Sequence, residues 1–134
     1  MIQKNYVIDV NIYISYILNA KLDELFLFTL ERDLEVFIST VLINELNDVL
    51  HREKIKKYLK KPPLEFIAAV AQFGNLIEPK FRKIKSPDAK DDYLFCLALS
   101  SESVIVTGDK HLIQWENTPV QVISLATFLK LENE

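Results

Sequence analysis

Glycine and cysteine are scarce in this sequence, and each scarcity excludes a class of protein. The 134 residues include 2 glycines and 5 prolines, which excludes collagen-like, low-complexity and loop-dominated architectures. No glycine-rich phosphate loop is present, so neither a P-loop NTPase nor a dinucleotide-binding Rossmann domain is expected. The single cysteine cannot form an internal disulfide, which indicates a reducing compartment.

The sequence also lacks long apolar runs. Charged residues interrupt every apolar stretch well short of a membrane span, and the N-terminal segment lacks the apolar core of a signal peptide. We therefore expect no targeting segment, no membrane association and a cytoplasmic location. With 49% apolar and 26% charged residues, the composition is that of an ordinary globular protein, and the length fits one domain over residues 1–134.

An excess of positive charge is absent as well. The chain has 16 basic and 19 acidic residues, a formal net charge of −3. As a whole-chain value this argues against nucleic acid, because phosphate binding normally requires a basic surface. The value is an average, however, and the positions of the charges decide what it means.

Short apolar strands alternate with helices along the chain. The pattern predicts strands at residues 5–10, 34–38, 104–106 and about 120–123. It predicts helices at residues 11–32 in two pieces, 40–51 with a continuation to about 59, 64–73, 88–100 and 126–131, with Ser39 as an N-cap and residues 75–87 as extended or loop structure. The expected fold is therefore α/β, a three-layer α/β/α sandwich around a central parallel sheet of about four or five strands.

Acidic residues stand at positions where an apolar residue would be ordinary. Asp9 follows the first predicted strand and Asp109 follows the strand at 104–106, so both lie at strand carboxyl ends, the edge where parallel sheets bind ligands. Glu45 lies along the apolar stripe of its helix, between Leu42 and Val49. A charge facing the core is costly unless it is paired or metal-bound. The alternative, that Glu45 reaches water from the edge of the stripe, stays open.

A further acidic group opens the helix predicted at residues 88–100. Asp88 follows a proline and is a suitable N-cap, and acids in a first turn are favoured by the helix dipole. We therefore expect a capping role for Asp88. One cap needs one acid, so Asp91 and Asp92 call for a different explanation.

Several carboxylates that meet at one edge of a sheet would repel each other unless a cation neutralised them. An all-oxygen site of this kind suits Mg²⁺ or Mn²⁺. The histidine and cysteine spacings of zinc sites are missing, and His51 and His111 are the only histidines available to a nucleophile–histidine system. Cys96 lies in an apolar helical run, which favours a place in the core.

Four segments, taken in order, resemble those of the PIN-domain nucleases: DVN at 9–11, ISTVLINEL at 38–46, DAKDDYLFCLAL at 88–99 and IVTGDKHLI at 105–113. More narrowly, the sequence is similar to the bacterial and archaeal branch that supplies VapC-like toxins of toxin–antitoxin pairs. The resemblance spans most of the chain and implies a metal-dependent ribonuclease that hydrolyses RNA phosphodiester bonds. It also implies a cognate antitoxin protein and a homodimer as partners to look for.

The resemblance assigns roles position by position. It implies that Asp9, Asp91 and Asp109 hold one or two Mg²⁺ or Mn²⁺ ions, and that Glu45 is a further metal ligand or orients the attacking water. These same four acids would be the catalytic residues. Asp92 falls where the family varies. The polar residues expected beside the site are Asn11, Thr107, Asp88 and Asp92.

Two basic clusters are expected to bind the RNA backbone through contacts that do not depend on base sequence and weaken with salt. The first consists of Arg52, Lys54, Lys56, Lys57, Lys60 and Lys61. The second consists of Lys80, Arg82, Lys83 and Lys85. Tyr58 lies within the first cluster, where stacking on a base and packing against the neighbours of Leu59 are both open. For any single lysine, an ordinary solvated surface is the alternative.

Two other functions stay open on the sequence alone. One is a Mg²⁺-dependent phosphoryl-transfer domain of the receiver or haloacid-dehalogenase type, although the latter requires an aspartate where Asn11 stands. The other is a non-catalytic PIN fold that binds RNA or a partner and whose acids are structural. Once the four site acids are set aside, basic residues outnumber the remaining acidic ones, so the net charge no longer argues against nucleic acid.

Overall fold

A parallel sheet forms the centre of the molecule. The computed structural model describes residues 3–80 and 83–132, and within them five strands are present. They are β1 (Asn5–Ile8), β2 (Glu35–Ile38), β3 (Asn75–Leu76), β4 (Val104–Thr107) and β5 (Val122–Ser124). Their order in the sheet is β3-β2-β1-β4-β5, and every neighbouring pair is parallel, as the sequence predicted.

Helices flank the sheet and complete the predicted α/β/α sandwich. They are α1 (Val10–Leu18), α2 (Leu22–Glu31), α3 (Thr40–Leu50), α4 (Glu53–Lys56), α5 (Pro63–Phe73), α6 (Asp92–Ser101), α7 (Lys110–Ile113) and α8 (Leu125–Phe128). Ser39 caps α3 as predicted, because its hydroxyl accepts a hydrogen bond from the backbone amide of Leu42 at 3.2 Å. Across the described part of the chain, no helix combines the length and apolar character needed to cross a bilayer.

The two central strands, β1 and β4, carry the core. Val7, Ile8, Ile105 and Val106 are fully buried, because helices cover both faces of these strands. Each such side chain contributes about 1.5–3 kcal/mol by leaving water. The edge strand β3 is exposed by contrast, and β5 is half-buried. The centre of the sheet is therefore its most buried part, and the candidate site stands at the end of this pair.

The structure corrects two local predictions and makes a third more specific. The helix expected to continue to Leu59 ends at Lys56, because the next residues close tight turns in which the amide of Tyr58 bonds to the carbonyl of Ile55 at 3.0 Å. Such a lysine-rich segment has too little apolar surface to continue a packed helix. The two-residue strand β3 opens the segment 75–87, which was expected as extended or loop structure. Asp88 begins a 3₁₀ turn at Ala89–Asp91 rather than the α-helix itself.

Gly74 and Gly108, the two glycines, tolerate a side chain very differently. A Cβ on Gly74 would lie 2.7 Å from the Cγ2 of the buried Ile38, whereas a Cβ on Gly108 would meet no atom within 4 Å. Gly74→Ala should lower the free energy of unfolding by about 1–3 kcal/mol through overpacking. Gly108→Ala, the matched control, should leave it within about 0.5 kcal/mol. Urea denaturation measures both, and equal effects would contradict the close-approach explanation.

Candidate active site

The register between β1 and β4 brings Asp9 and Thr107 together. Ile8 pairs with Val106 in the sheet, and the backbone amide of Asp9 bonds to the carbonyl of Val106 at 2.9 Å. The next residues along both strands therefore meet, and the hydroxyl of Thr107 donates to Oδ2 of Asp9 at 2.7 Å. An acid and a hydroxyl separated by 98 positions in the sequence thus share a hydrogen bond at the strand carboxyl ends.

Asp9 is a buried carboxylate, with 5% of its surface exposed. Burial raises its pKa, and the charge of Asp109 raises it further. The Thr107 hydroxyl and the backbone amides of Asn11 and Val10 act in the opposite direction, since they favour the ionised form. Asn11 is the second residue of α1, and its side chain is exposed. Asp9 is therefore a carboxylate held in place by the start of a helix and by a neighbouring strand.

Asp109 joins the same edge from the end of β4. Its backbone amide donates to the Thr107 hydroxyl at 3.1 Å, so that hydroxyl links the carboxylate of Asp9 to the main chain of Asp109. One carboxylate oxygen, Oδ1, accepts from the amide of His111 at 2.8 Å and caps the short helix α7. Both contacts fix the backbone of the β4–α7 turn. Asp109 is half-buried and lies close enough to Asp9 to affect its pKa.

The three acids between positions 88 and 92 have different surroundings. Asp88 caps the 3₁₀ turn, accepting from the amide of Lys90 at 3.0 Å, which confirms the capping expected from the sequence. Asp92 accepts from the amide and the hydroxyl of Ser86 at 2.9 and 2.5 Å, and so ties down the preceding loop. The charges of Asp9 and Asp109 act on the pKa of Asp91.

Burial and repulsion together make Asp91 hard to ionise. Partial burial raises its pKa to about 6, with the charges of Asp9, Asp88, Asp109 and Asp92 contributing in that order. The ordinary value is 3.8. Like charges that face one another across a cleft produce this effect, and a bound cation would reverse it.

Glu45 on α3 is half-buried, and its charge acts on Tyr93, a residue that the sequence motifs did not single out. Burial raises the pKa of the Tyr93 phenol, and the charges of Asp9, Glu45 and Asp91 raise it further. Tyr93 lies in the first turn of α6, which packs against α3 and β1. Its hydroxyl therefore stands in the field of carboxylates from three elements. The signal in the sequence was a phenol two residues after Asp91 at the start of an apolar helix.

Asp88, Asp91 and Asp109 line an open cleft, whereas Asp9 and Glu45 are not among its lining residues. A depression of about 430 Å³ is lined by Pro87, Asp88, Ala89, Asp91, Asp109, His111 and Leu112. Among the described residues, no three histidine, cysteine, aspartate or glutamate side chains converge tightly enough to form a preassembled metal cluster. The donor set is nevertheless carboxylate oxygen, the ligand that Mg²⁺ and Mn²⁺ prefer, and its raised pKa values reflect a charge that such a cation would offset.

The basic residues lie at the surface, away from the core. All six residues of the first cluster are exposed, and they follow α3 and surround α4. In the second cluster Lys83 and Lys85 are exposed just before the acidic segment, and the amide of Lys80 donates to the hydroxyl of Ser100 at 2.9 Å. Arg82 lies outside the described residues. Cys96 is buried, as expected for a core residue.

Asp91 should make the metal-free protein less stable as the pH rises. Its folded pKa of about 6 exceeds the ordinary value of 3.8, so the folded state holds the extra proton between these values and stability falls through this window. In EDTA at pH 7, Asp91→Asn should therefore stabilise the protein by about 1 kcal/mol, a figure reduced for solvent screening. At about pH 4 the gain should vanish.

Urea denaturation of both proteins at the two pH values measures this effect. Asp48→Asn, which neutralises an exposed acid on the same helix as Glu45, is the matched control and should change little. A loss of stability in Asp91→Asn at pH 7 would contradict the repulsion inferred for this carboxylate.

Two solved structures share this architecture. One match is a chain of VapBC2 from Rickettsia felis, whose crystal structure holds a DNA fragment from the promoter. The two chains are 15% identical with a TM-score of 0.59, and the match covers 90% of this chain and 98% of the VapBC2 chain. VapBC-1 from nontypeable Haemophilus influenzae matches at 17% identity and a TM-score of 0.56, with coverage of 90% and 97%. At these identities the likeness concerns the fold.

The sequence of the chain assigns it to a protein family. No curated protein matches the chain. A family model described as the PIN domain matches residues 5–111, a span that runs from the first strand through Asp9, Glu45, Asp91 and Asp109. Most of the chain is covered by this match, and the chain belongs to the PIN domain family.

Proposed function

We propose that the protein, as one PIN domain over residues 1–134, is a metal-dependent endoribonuclease and the toxin component of a toxin–antitoxin pair. One observation carries the proposal. Asp9 and Asp109 follow the central strands β1 and β4, and burial together with the charges of acids that include these two raises the pKa of Asp91 to about 6. A protein that gains nothing from such an arrangement would be more stable without it.

The residues present suit a hard divalent cation. Asp9, Asp91 and Asp109 would hold Mg²⁺ or Mn²⁺, with Glu45 as a further ligand or as the group that orients water. When bound, the ion polarises the phosphoryl oxygen and lowers the pKa of water for attack on the phosphodiester. Thr107 keeps one oxygen of Asp9 engaged at 2.7 Å and so restricts the rotation of that carboxylate.

Tyr93 supplies a hydrogen-bond donor next to the site carboxylates. Its raised pKa keeps the phenol protonated at every physiological pH, so it can donate but does not add another negative charge. We infer that it donates to one of the site carboxylates or to water held between them. In either case it is a positioning residue for the acids on α3 and β1.

The two basic clusters support RNA as the substrate. Ten cations were assigned to them from the sequence, and those described are at the surface, as backbone phosphate contacts require. Lys83 and Lys85 directly precede the segment that bears Asp91, which places positive charge beside the cleft in the sequence. We propose that phosphates on either side of the scissile bond contact these lysines.

The toxin assignment rests on the VapC-like segments of the sequence and on the fold shared with chains of two VapBC structures. We propose a cognate antitoxin as the protein partner, a homodimer as the assembly and the cytoplasm as the location. Coexpression with the product of an adjacent gene tests the partner, since an antitoxin should copurify and suppress RNA cleavage.

A non-catalytic RNA- or partner-binding module is the second candidate. The observation in its favour is the absence, among the described residues, of three acidic or histidine side chains close enough for a preassembled cluster. In that case the protein would bind RNA without cleaving it, and EDTA would leave its affinity for RNA unchanged. Metal-dependent cleavage separates the two functions.

Asp9→Asn should abolish RNA cleavage while leaving the fold intact. Loss of a direct ligand is expected to cost more than the roughly 10- to 100-fold typical of residues behind the ligands. Cleavage of a labelled RNA in Mg²⁺ or Mn²⁺, stopped by EDTA and restored by added metal, measures the activity. Asp48→Asn is the control for loss of one exposed acid. Undiminished cleavage by Asp9→Asn would refute the assignment.

Tyr93→Phe removes only the phenol oxygen and should lower kcat about 10- to 100-fold. KM should change little, because the proposed role is to position carboxylates rather than to bind RNA. Tyr16→Phe is the matched control, since Tyr16 is also half-buried and its pKa is also raised by burial, but the acid that acts on it is Glu24. An equal loss of kcat in both variants would show that Tyr93 has only a structural role.

A further inference from the structure

A small pocket lies beside the first basic cluster, where the chain turns from α4 to α5. It has a volume of about 170 Å³. Its apolar lining comes from the end of α1, the start of α2 and Phe66 of α5. Its polar rim is formed by Lys60, Lys61 and Asp23, and Tyr58 completes the wall. The candidate active site contributes no residue to this lining.

Tyr58 is unusual for an aromatic residue, because 64% of its surface is exposed. Its ring lies in the turn after α4, with the ammonium nitrogen of Lys57 at 5.2 Å from the ring centroid. That distance is within the range of a cation–π contact, which restricts the ring and keeps positive charge beside it. A large ring held at the surface among cations is the arrangement that proteins use to stack single-stranded bases.

The charges around the pocket favour a polyanion. Five lysines and Arg52 stand between positions 52 and 61, and all six are exposed. The acids nearest in the sequence are Glu53 and Glu65, while Asp23 lies on the rim itself. Cations therefore outnumber acids on this surface. Their contacts to phosphate would not depend on base sequence, whereas the pocket would accept the base.

The size of the pocket limits what can enter. An α-helix is about 10–12 Å across with a pitch of 5.4 Å, so a single turn occupies about 420–610 Å³, more than twice the available volume. A whole helical turn therefore does not fit, whereas one planar ring does. In a duplex the bases are paired and stacked, so a base reaches such a pocket only from a single strand, a loop or a bulge.

The geometry points to a nucleobase subsite at this pocket: one unpaired base of a single-stranded RNA stacks on Tyr58, while Lys60 and Lys61 contact its phosphates. The inference rests on the proposed function, because it assigns how the RNA of that reaction is held. It makes single-stranded RNA the substrate class and places a binding surface outside the acidic cleft.

Binding without cleavage tests the subsite in isolation. Fluorescence anisotropy in EDTA compares a single-stranded RNA octamer with an octamer of the same backbone that lacks its bases. Tyr58→Leu should weaken binding of the base-containing strand about 5- to 150-fold and leave the abasic strand unchanged. Tyr58→Phe keeps the ring and should bind within about twofold of the wild type.

The lysines should behave differently from the ring. The double variant Lys60→Ser/Lys61→Ser should weaken both strands, and the slope of log K against log salt should become shallower by about 0.7 for each phosphate that the variant no longer neutralises. Lys130→Ser removes an exposed cation elsewhere in the chain and is the control for net charge. Melting temperatures of all variants should match the wild type, since the altered side chains are exposed.

Two results would overturn the subsite. One is unchanged RNA binding by Tyr58→Leu, whether or not an acidic peptide competes for the pocket. The other is an equal weakening of binding to the abasic strand. Cleavage by the wild type in Mn²⁺ is scored separately. If the wild type cleaves RNA and Tyr58→Leu changes nothing, the subsite fails and the nuclease stands. If RNA binds through Tyr58 but is never cleaved, the nuclease fails and the subsite stands.

Discussion

The parallel pairing of β1 with β4 is the interaction on which the candidate site depends. Because Ile8 lies opposite Val106, the residues that follow them, Asp9 and Thr107, must lie side by side at the edge of the sheet. A shift of the register by one residue would turn every side chain of the strand to the other face. The fully buried apolar residues of both strands oppose such a shift, so the core that stabilises the fold also fixes the geometry of the acids.

The same edge concentrates charge that the fold does not neutralise. Burial raises the pKa of Asp9, and burial with repulsion raises the pKa of Asp91, so these carboxylates work against the stability of the metal-free protein. The surrounding acids avoid part of this cost by bonding to the backbone or to a loop, as Asp88 does with Lys90 and Asp92 with Ser86. Asp88 and Asp92 therefore shape the local backbone, whereas burial and the surrounding acids oppose the charge of Asp91.

Much of the architecture was predictable from the sequence, because its signals are local. Apolar runs located the central strands, and Ser39 was recognisable as a cap because the cap bonds within its own helix turn. The strand β3 was not predictable, since two exposed residues carry no pattern and become a strand only by pairing with β2. The end of α4 at Lys56 was missed for a related reason, because the pattern of charge in that segment is the same in a helix and in a turn.

The sequence by itself determined the family, the alternation of strands and helices, and the presence of acids at strand ends, since each is encoded within a few neighbouring positions. It also determined where positive charge accumulates. Only the tertiary structure decided that Thr107 bonds to Asp9, that the pKa of Asp91 responds to the other acids, and that Tyr93 stands among carboxylates of three elements. The physical reason is that electrostatic energy depends on distance and burial, and both are set by packing between segments far apart in the sequence.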